Sequence, residues 1–117
     1  MNDRAAIVES VLNYVEGWYE GDDARMDAAL SHFLVKRRVV SADEIWDVNK
    51  VWMLGATQEG QGKLENPGSG LKDIVVLDST DTMATVKLVS NDFVDYVHLA
   101  KYNGTWKIVN ALWDFVK

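Results

Sequence analysis

The hydrophobic period of this chain changes once, near Pro67. Before that point apolar residues recur at helical spacing, and after it they alternate as in strands, which predicts an α+β fold rather than alternating βαβ units. Ile7, Val11, Tyr14, Val15 and Trp18 make one stripe of a first helix, capped by Asp3 and stopped at Gly21. Asp22 or Asp23 caps a second, short helix that buries Met26, Ala29 and Leu30 and ends near Ser31 and His32. Residues 35–40 read as a short strand or extended connector. Ser41 followed by Glu44 forms a capping box, predicting a third helix that carries Ile45, Val48, Trp52 and Ala56. Residues 58–70, with Gly60, Gly62, Gly68, Gly70 and Pro67, have loop chemistry. Four strands are expected beyond them, over 71–78, 83–90, 93–102 and 105–116.

Asn103-Gly104 is a strong two-residue hairpin signal, and it sets a register. Tyr102 then faces Thr105, Leu99 faces Ile108, Val97 faces Asn110 and Asp95 faces Leu112. A second turn at Asn91-Asp92 brings Ala84, Val86 and Leu88 onto the same face. That face is almost wholly apolar, its two exceptions being Asp95 and Asn110, about 7–8 Å apart at Cα as diagonal neighbours. The opposite face, with Thr85, Lys87, Val94, Tyr96, His98, Lys107, Val109 and Trp113, is mixed and resembles an interface or a wet surface. The register of 71–78 stays open, because a bulge at Thr80-Asp81 would exchange its two faces. Three helices have to cover the dry face, which aims Tyr14 and Trp18 at it. A curved sheet closed in this way leaves an apolar cone with a few polar groups, the usual description of a small-molecule site.

Composition narrows the functions. At 117 residues the chain is one domain, 1–117, on a prior of about 150 residues per domain. Twelve basic against eighteen acidic residues give a net charge of −6, which argues against a polyanionic partner such as nucleic acid or an anionic membrane. The absence of cysteine excludes disulfides, thiolate nucleophiles and zinc ribbons. No apolar run is long enough for a membrane span and none reads as an export signal, so the expectation is a cytoplasmic protein.

Asp95 is the first candidate for chemistry: in an apolar cone its pKa would rise, suiting a general base that moves a proton beside a carbonyl, although a carboxylate near a strand end also serves structure alone. Tyr14 is placed to donate a hydrogen bond to a ligand oxygen or to Asp95, and equally to be a core tyrosine. Asn110 could orient a ligand carbonyl or only pair with Asp95. Trp18 and Trp52, with Val97 on the dry face, are candidates to line a ring-binding site, against the plainer reading of Trp as core. His32 lies at a helix end beside the expected mouth, as acid, base or C-terminal cap. His98 points to the opposite face. Lys36-Arg37-Arg38 could hold a phosphate or carboxylate but reads more simply as a solvated strand face. Two histidines 66 residues apart, without cysteine partners, make no metal site.

The segments Tyr14-Val15-Glu16-Gly17-Trp18-Tyr19-Glu20-Gly21-Asp22, Arg25-Met26 through Ala29-Leu30, Leu34-Val35-Lys36-Arg37-Arg38-Val39, Asp95-Tyr96-Val97-His98-Leu99 and Gly104-Thr105-Trp106-Lys107-Ile108-Val109-Asn110 resemble the nuclear-transport-factor-2-like proteins. Within them they resemble the branch described as putative lumazine-binding or SnoaL-like. Leu30-Ser31-His32-Phe33 departs from the Leu-His-Pro that many members carry. The resemblance implies a cone-shaped barrel of three helices in a strongly curved, mostly antiparallel sheet, and homodimers packed through the outer sheet face. No cofactor is expected. The reading that follows is a protein that binds a small, mostly apolar, ring-containing molecule in its cone. Beside it stand a cofactor-independent isomerase, cyclase or dehydratase with Asp95 as base and Tyr14 as donor, and a non-catalytic interaction module using the exposed sheet face.

Overall fold

The computed structural model describes residues 3–117. Helix α1 (Arg4–Glu20) buries Ile7, Val11, Tyr14 and Val15 along the expected stripe. Asp3 lends no side-chain cap to it; its carboxylate instead takes Lys101 Nζ at 2.7 Å and Trp106 Nε1 at 3.1 Å, pinning the start of α1 to the last hairpin. Helix α2 (Asp23–Ala29) is capped by Asp22, which accepts from the Arg25 amide. Strand β1 (Leu30–Ser41) follows without a break.

The third helix does not begin at the Ser41 box. Residues 41–44 form a hairpin turn in which Ser41 Oγ accepts from the Asp43 amide, and β2 (Glu44–Val48) pairs back onto β1 from Lys36 to Ser41. The same Ser chemistry that caps helices also closes turns, and Ile45, Trp46 and Val48 suit a strand that finds a partner. Helix α3 (Lys50–Gln58) begins after Asn49, whose side chain accepts from the Trp52 amide at 2.9 Å.

After the 58–70 loop, with a 3-10 turn over Pro67–Ser69, come β3 (Asp73–Ser79), β4 (Met83–Val89), β5 (Phe93–Tyr102) and β6 (Thr105–Phe115). They complete a six-stranded sheet of order β2-β1-β6-β5-β4-β3, antiparallel except where β1 meets β6. A bulge at Leu77 sets the β3 register left open by the sequence, with Ile74 opposite Leu88 and Val76 opposite Val86. The sheet is not closed and curves around the helices as a cone. Val86, Leu88, Val97, Leu99 and Ile108 on its inner face pack against Ile7, Val11 and Met26 to form the core.

Asn103 and Gly104 both take positive φ, 51° and 75°, the geometry of a type I′ turn. Gly104→Ala places a Cβ in the left-handed region at a cost of about 1–2 kcal/mol. A urea melt should therefore lose that much stability with its slope unchanged.

Candidate functional site

One row of side chains crosses the inner face of the sheet. Trp46 on β2 pairs with Arg38 on β1, Trp113 on β6 pairs with Asp95 on β5, and Asp95 pairs with Leu88 on β4. Arg38 lies alongside Trp113, because the neighbouring Arg37 pairs with Leu112 in the parallel ladder. Asp95 is thus held in the middle of the sheet and is 3% exposed. From α1, Tyr14, 6% exposed, donates its hydroxyl to Asp95 Oδ2 at 2.9 Å. This is the only hydrogen bond the Asp95 carboxylate makes among the described residues.

The third polar group is Lys36. Alternation along β1 turns Leu34, Lys36 and Arg38 inward, while Arg37 points out to Asp47 at 2.6 Å. The Lys36 ammonium lies 5.1 Å from the Tyr14 ring centroid and 5.6 Å from that of Trp113. Its one hydrogen-bond contact among the described residues is Met53 Sδ at 3.8 Å, so it lacks an oxygen partner. Burial pushes the Asp95 carboxyl above its ordinary 3.8, against the pull of Lys36 and the Tyr14 hydroxyl. Burial pushes Lys36 below its ordinary 10.5, and Asp95 works the other way. Tyr14 is held protonated, well above 10.0, by burial and then by the Asp95 charge.

Between these groups is a cavity of about 20 Å³, bounded by Tyr14, Trp18, Lys36, Met53, Phe93 and Asp95. That is room for one water and not for a ring. Trp18, Ser90 and Phe93 also border a surface cleft of about 140 Å³ under the 61–64 loop, and so form the wall between interior and solvent. Gly62 lies against this wall: a Cβ there would come within 2.1 Å of Trp18 Nε1. Gly62→Ala should thus cost about 1–3 kcal/mol by overpacking, whereas Gly55→Ala, in α3 with open space around it, should gain about 0.5–1 kcal/mol. Thermal melts of the two variants, opposite in sign, check how tightly the wall is packed. The larger concavities, about 400 and 480 Å³, run along the outer sheet face, one beside His98 and one over Tyr96 and Leu112 that reaches round to Trp113, Asp114 and Phe115 at the end of β6. They are open grooves without a buried ionisable group, so the largest spaces and the buried charged groups lie in different places.

The structure brings together Asp95, Tyr14 and Trp18 and separates the other candidates from them. Asn110 is a correction. A one-residue bulge at Val109 shifts the hairpin between Leu99 paired with Ile108 and His98 paired with Asn110. Asn110 and Leu112 therefore face outward, Asn110 Nδ2 lying 3.4 Å from His98 Nδ1, and Ala111 and Trp113 take the inner positions. Trp52 is 48% exposed on the outer side of α3 and does not line the cavity. His32 belongs to β1 rather than to a helix end, and borders a surface cleft with Asp27, Asn49 and Lys50. Val97 is fully buried core rather than cavity wall. Lys36 reads from the sequence more simply as part of a solvated basic run, and the structure turns it inward. The signal that finds it is the inward period of β1, counted by twos from buried Leu34.

A family model described as putative lumazine-binding matches residues 2–114. The chain belongs to this family. Solved structures agree in fold. A nuclear-transport-factor-2-like protein of unknown function from Silicibacter pomeroyi is 15% identical, covering 96% of this chain and 94% of its own, with a TM-score of 0.81. Another from Methylobacillus flagellatus is 22% identical over 98% and 93%, with a TM-score of 0.79. A ketosteroid isomerase-like protein from Erwinia carotovora is 11% identical over 99% and 98%, with a TM-score of 0.72. No curated protein matches. At these identities the neighbours establish the cone, and function has to be argued from the site. Among the described residues, no helix is long and apolar enough to cross a membrane.

Proposed function

We propose that this member of the family binds a small, mostly apolar, ring-containing molecule in its cone, with the polar edge of the ligand on Asp95. What carries this reading is a buried carboxyl group with a single hydrogen bond, beside an ammonium without an oxygen partner, at a gap in an otherwise packed interior. Buried polar groups ordinarily satisfy one another, and a pair left short of partners is suited to a ligand that supplies them. The cavity as it stands is too small for a ring, and in this reading Trp18 and Phe93, which also border the adjoining cleft, give way to admit one. A thermal-shift screen with flavins, pterins, steroids and polyketide-like aromatics tests it: a ligand at one hundred times its Kd adds about 2.7 kcal/mol to stability. A panel in which no compound raises Tm contradicts the reading.

A catalytic version of the same site is favoured by the burial of Asp95, which suits a base that abstracts a proton beside a carbonyl. The Tyr14 proton is already committed to Asp95, so in this version Lys36 is better placed than Tyr14 to meet the oxyanion. A homodimer through the outer face is supported by the exposed apolar side chains Val39, Met83, Tyr96 and Leu112. Light scattering should give about twice the 13.2 kDa of the chain. The mass of a single chain would leave that face free for a different protein, as the interaction-module reading requires.

A further inference from the structure

The inner row that holds Asp95 continues past Trp113 to a second cation. The Arg38 guanidinium carbon lies 4.8 Å from the Trp46 ring centroid, 4.8 Å from that of Phe115 and 5.8 Å from that of Trp113. Its Nε donates to Asp114 at 2.9 Å, and its terminal nitrogens find no acceptor among the described residues. Trp113 therefore has a cation on either hand, Lys36 toward Tyr14 and Arg38 toward Trp46. The rings of Phe93 and Phe115 pack edge-on against it, each at 5.2 Å.

We propose that the ligand of this site is an anion: a planar ring bearing a carboxylate or an equally delocalised negative charge, which lies between Lys36 and Arg38 while the ring stacks on the aromatic row around Trp113. This rests on the reading of the cone as a ring-binding site and narrows the class it takes. Three observations carry it. The ammonium of Lys36 is a triple donor that has a thioether and two ring faces in contact and Asp95 across the cavity without a hydrogen bond to it, so its donors gain most from a further oxygen anion. The Arg38 fork is already oriented by its rings and by Asp114, with its outer donors unspent, so little side-chain freedom is lost when a carboxylate docks. Both cations also sit on the inner face of a chain whose net charge is −6, where Asp114 takes only the Nε of Arg38 and Asp95 attracts Lys36 without a hydrogen bond to it. A neutral ring would use the stacking surface and leave both cations as they are.

The test uses matched pairs of benzoate, 2-naphthoate and anthracene-2-carboxylate with their primary amides, which keep shape and remove charge. Binding is read by tryptophan fluorescence on the wild type and on Lys36→Met, whose Tm is measured alongside to establish that it folds. The expected result is that at least one acid binds ten-fold or more tighter than its amide, and that Lys36→Met removes most of the difference while keeping the binding of the amide. Amides that bind as well as the acids, or a preference for the acid that survives both Lys36→Met and Arg38→Gln, overturn the anionic class and leave the ring-binding site standing. Silence from both acids and amides overturns the two together.

Discussion

Asp95→Asn should leave the fold as stable as the wild type, or more stable, at neutral pH, while weakening ring-ligand binding ten-fold or more and abolishing any proton transfer at the site. The amide keeps the shape of the carboxyl and has no charge to bury. The pH dependence fixes the sign. The folded pKa of Asp95 is raised above its unfolded value, so its contribution to stability is fully present below the unfolded value of 3.8 and is lost as pH rises through the folded one. Each unit of the rise is worth about 1.4 kcal/mol. The stability of the wild type should therefore fall relative to Asp95→Asn as pH climbs from the ordinary carboxylate range toward neutrality. Paired thermal melts across that range check it. If Asp95 is instead only a structural anchor, Asp95→Asn loses stability at every pH and binding is unaffected.

Tyr14→Phe should act in the opposite direction. It leaves a buried carboxylate with no hydrogen bond from the described residues, at a cost of about 1.5–3 kcal/mol for a bond to a charged group. Because the Tyr14 hydroxyl favours the ionised form of Asp95, its removal raises the carboxyl further, and the loss of stability should grow with pH through the Asp95 titration. In the double variant with Asp95→Asn most of that growth should vanish, since the amide does not ionise. A double-mutant cycle by urea unfolding at two pH values measures the coupling directly. A penalty for Tyr14→Phe that is equal at both pH values would mean that the hydroxyl does not touch the charge on Asp95.

How much of this site the sequence discloses depends on which local signal governs each residue. The two-residue turns at Asn91-Asp92 and Asn103-Gly104 fix strand parity for β4, β5 and the start of β6, and parity alone puts Asp95 indoors opposite Leu88. The stripe of α1 likewise aims Tyr14 at the sheet. Asn110 was misplaced because parity is lost at a bulge, and Val109 carries no turn or glycine signature that would mark one. The helix expected from Ser41 failed because a serine three residues before a glutamate serves a turn as readily as a cap, and only the pairing of β2 with β1 decides. Trp52 moved to the surface with that same shift in helix start. Lys36 and Arg38 were hidden in a run of three charges. Their inward placement is a property of the full twelve-residue β1, whereas only its second half reads as a strand from composition. The near-closure of the cavity depends on how Trp18, Met53 and Phe93 meet in three dimensions, which no spacing rule contains.

Two methionines distinguish a ligand that enters the cone beside Asp95 from one that settles on the outer face. Met53 is 1% exposed and lines the inner cavity, whereas Met83 is 59% exposed and borders the outer groove beside His98. The methyl resonances of both, followed by NMR while a ring compound that raises Tm is titrated in, separate the alternatives in one experiment. A ligand in the cone should shift the Met53 methyl to saturation while Met83 stays in place. A shift confined to Met83 would contradict entry into the cone.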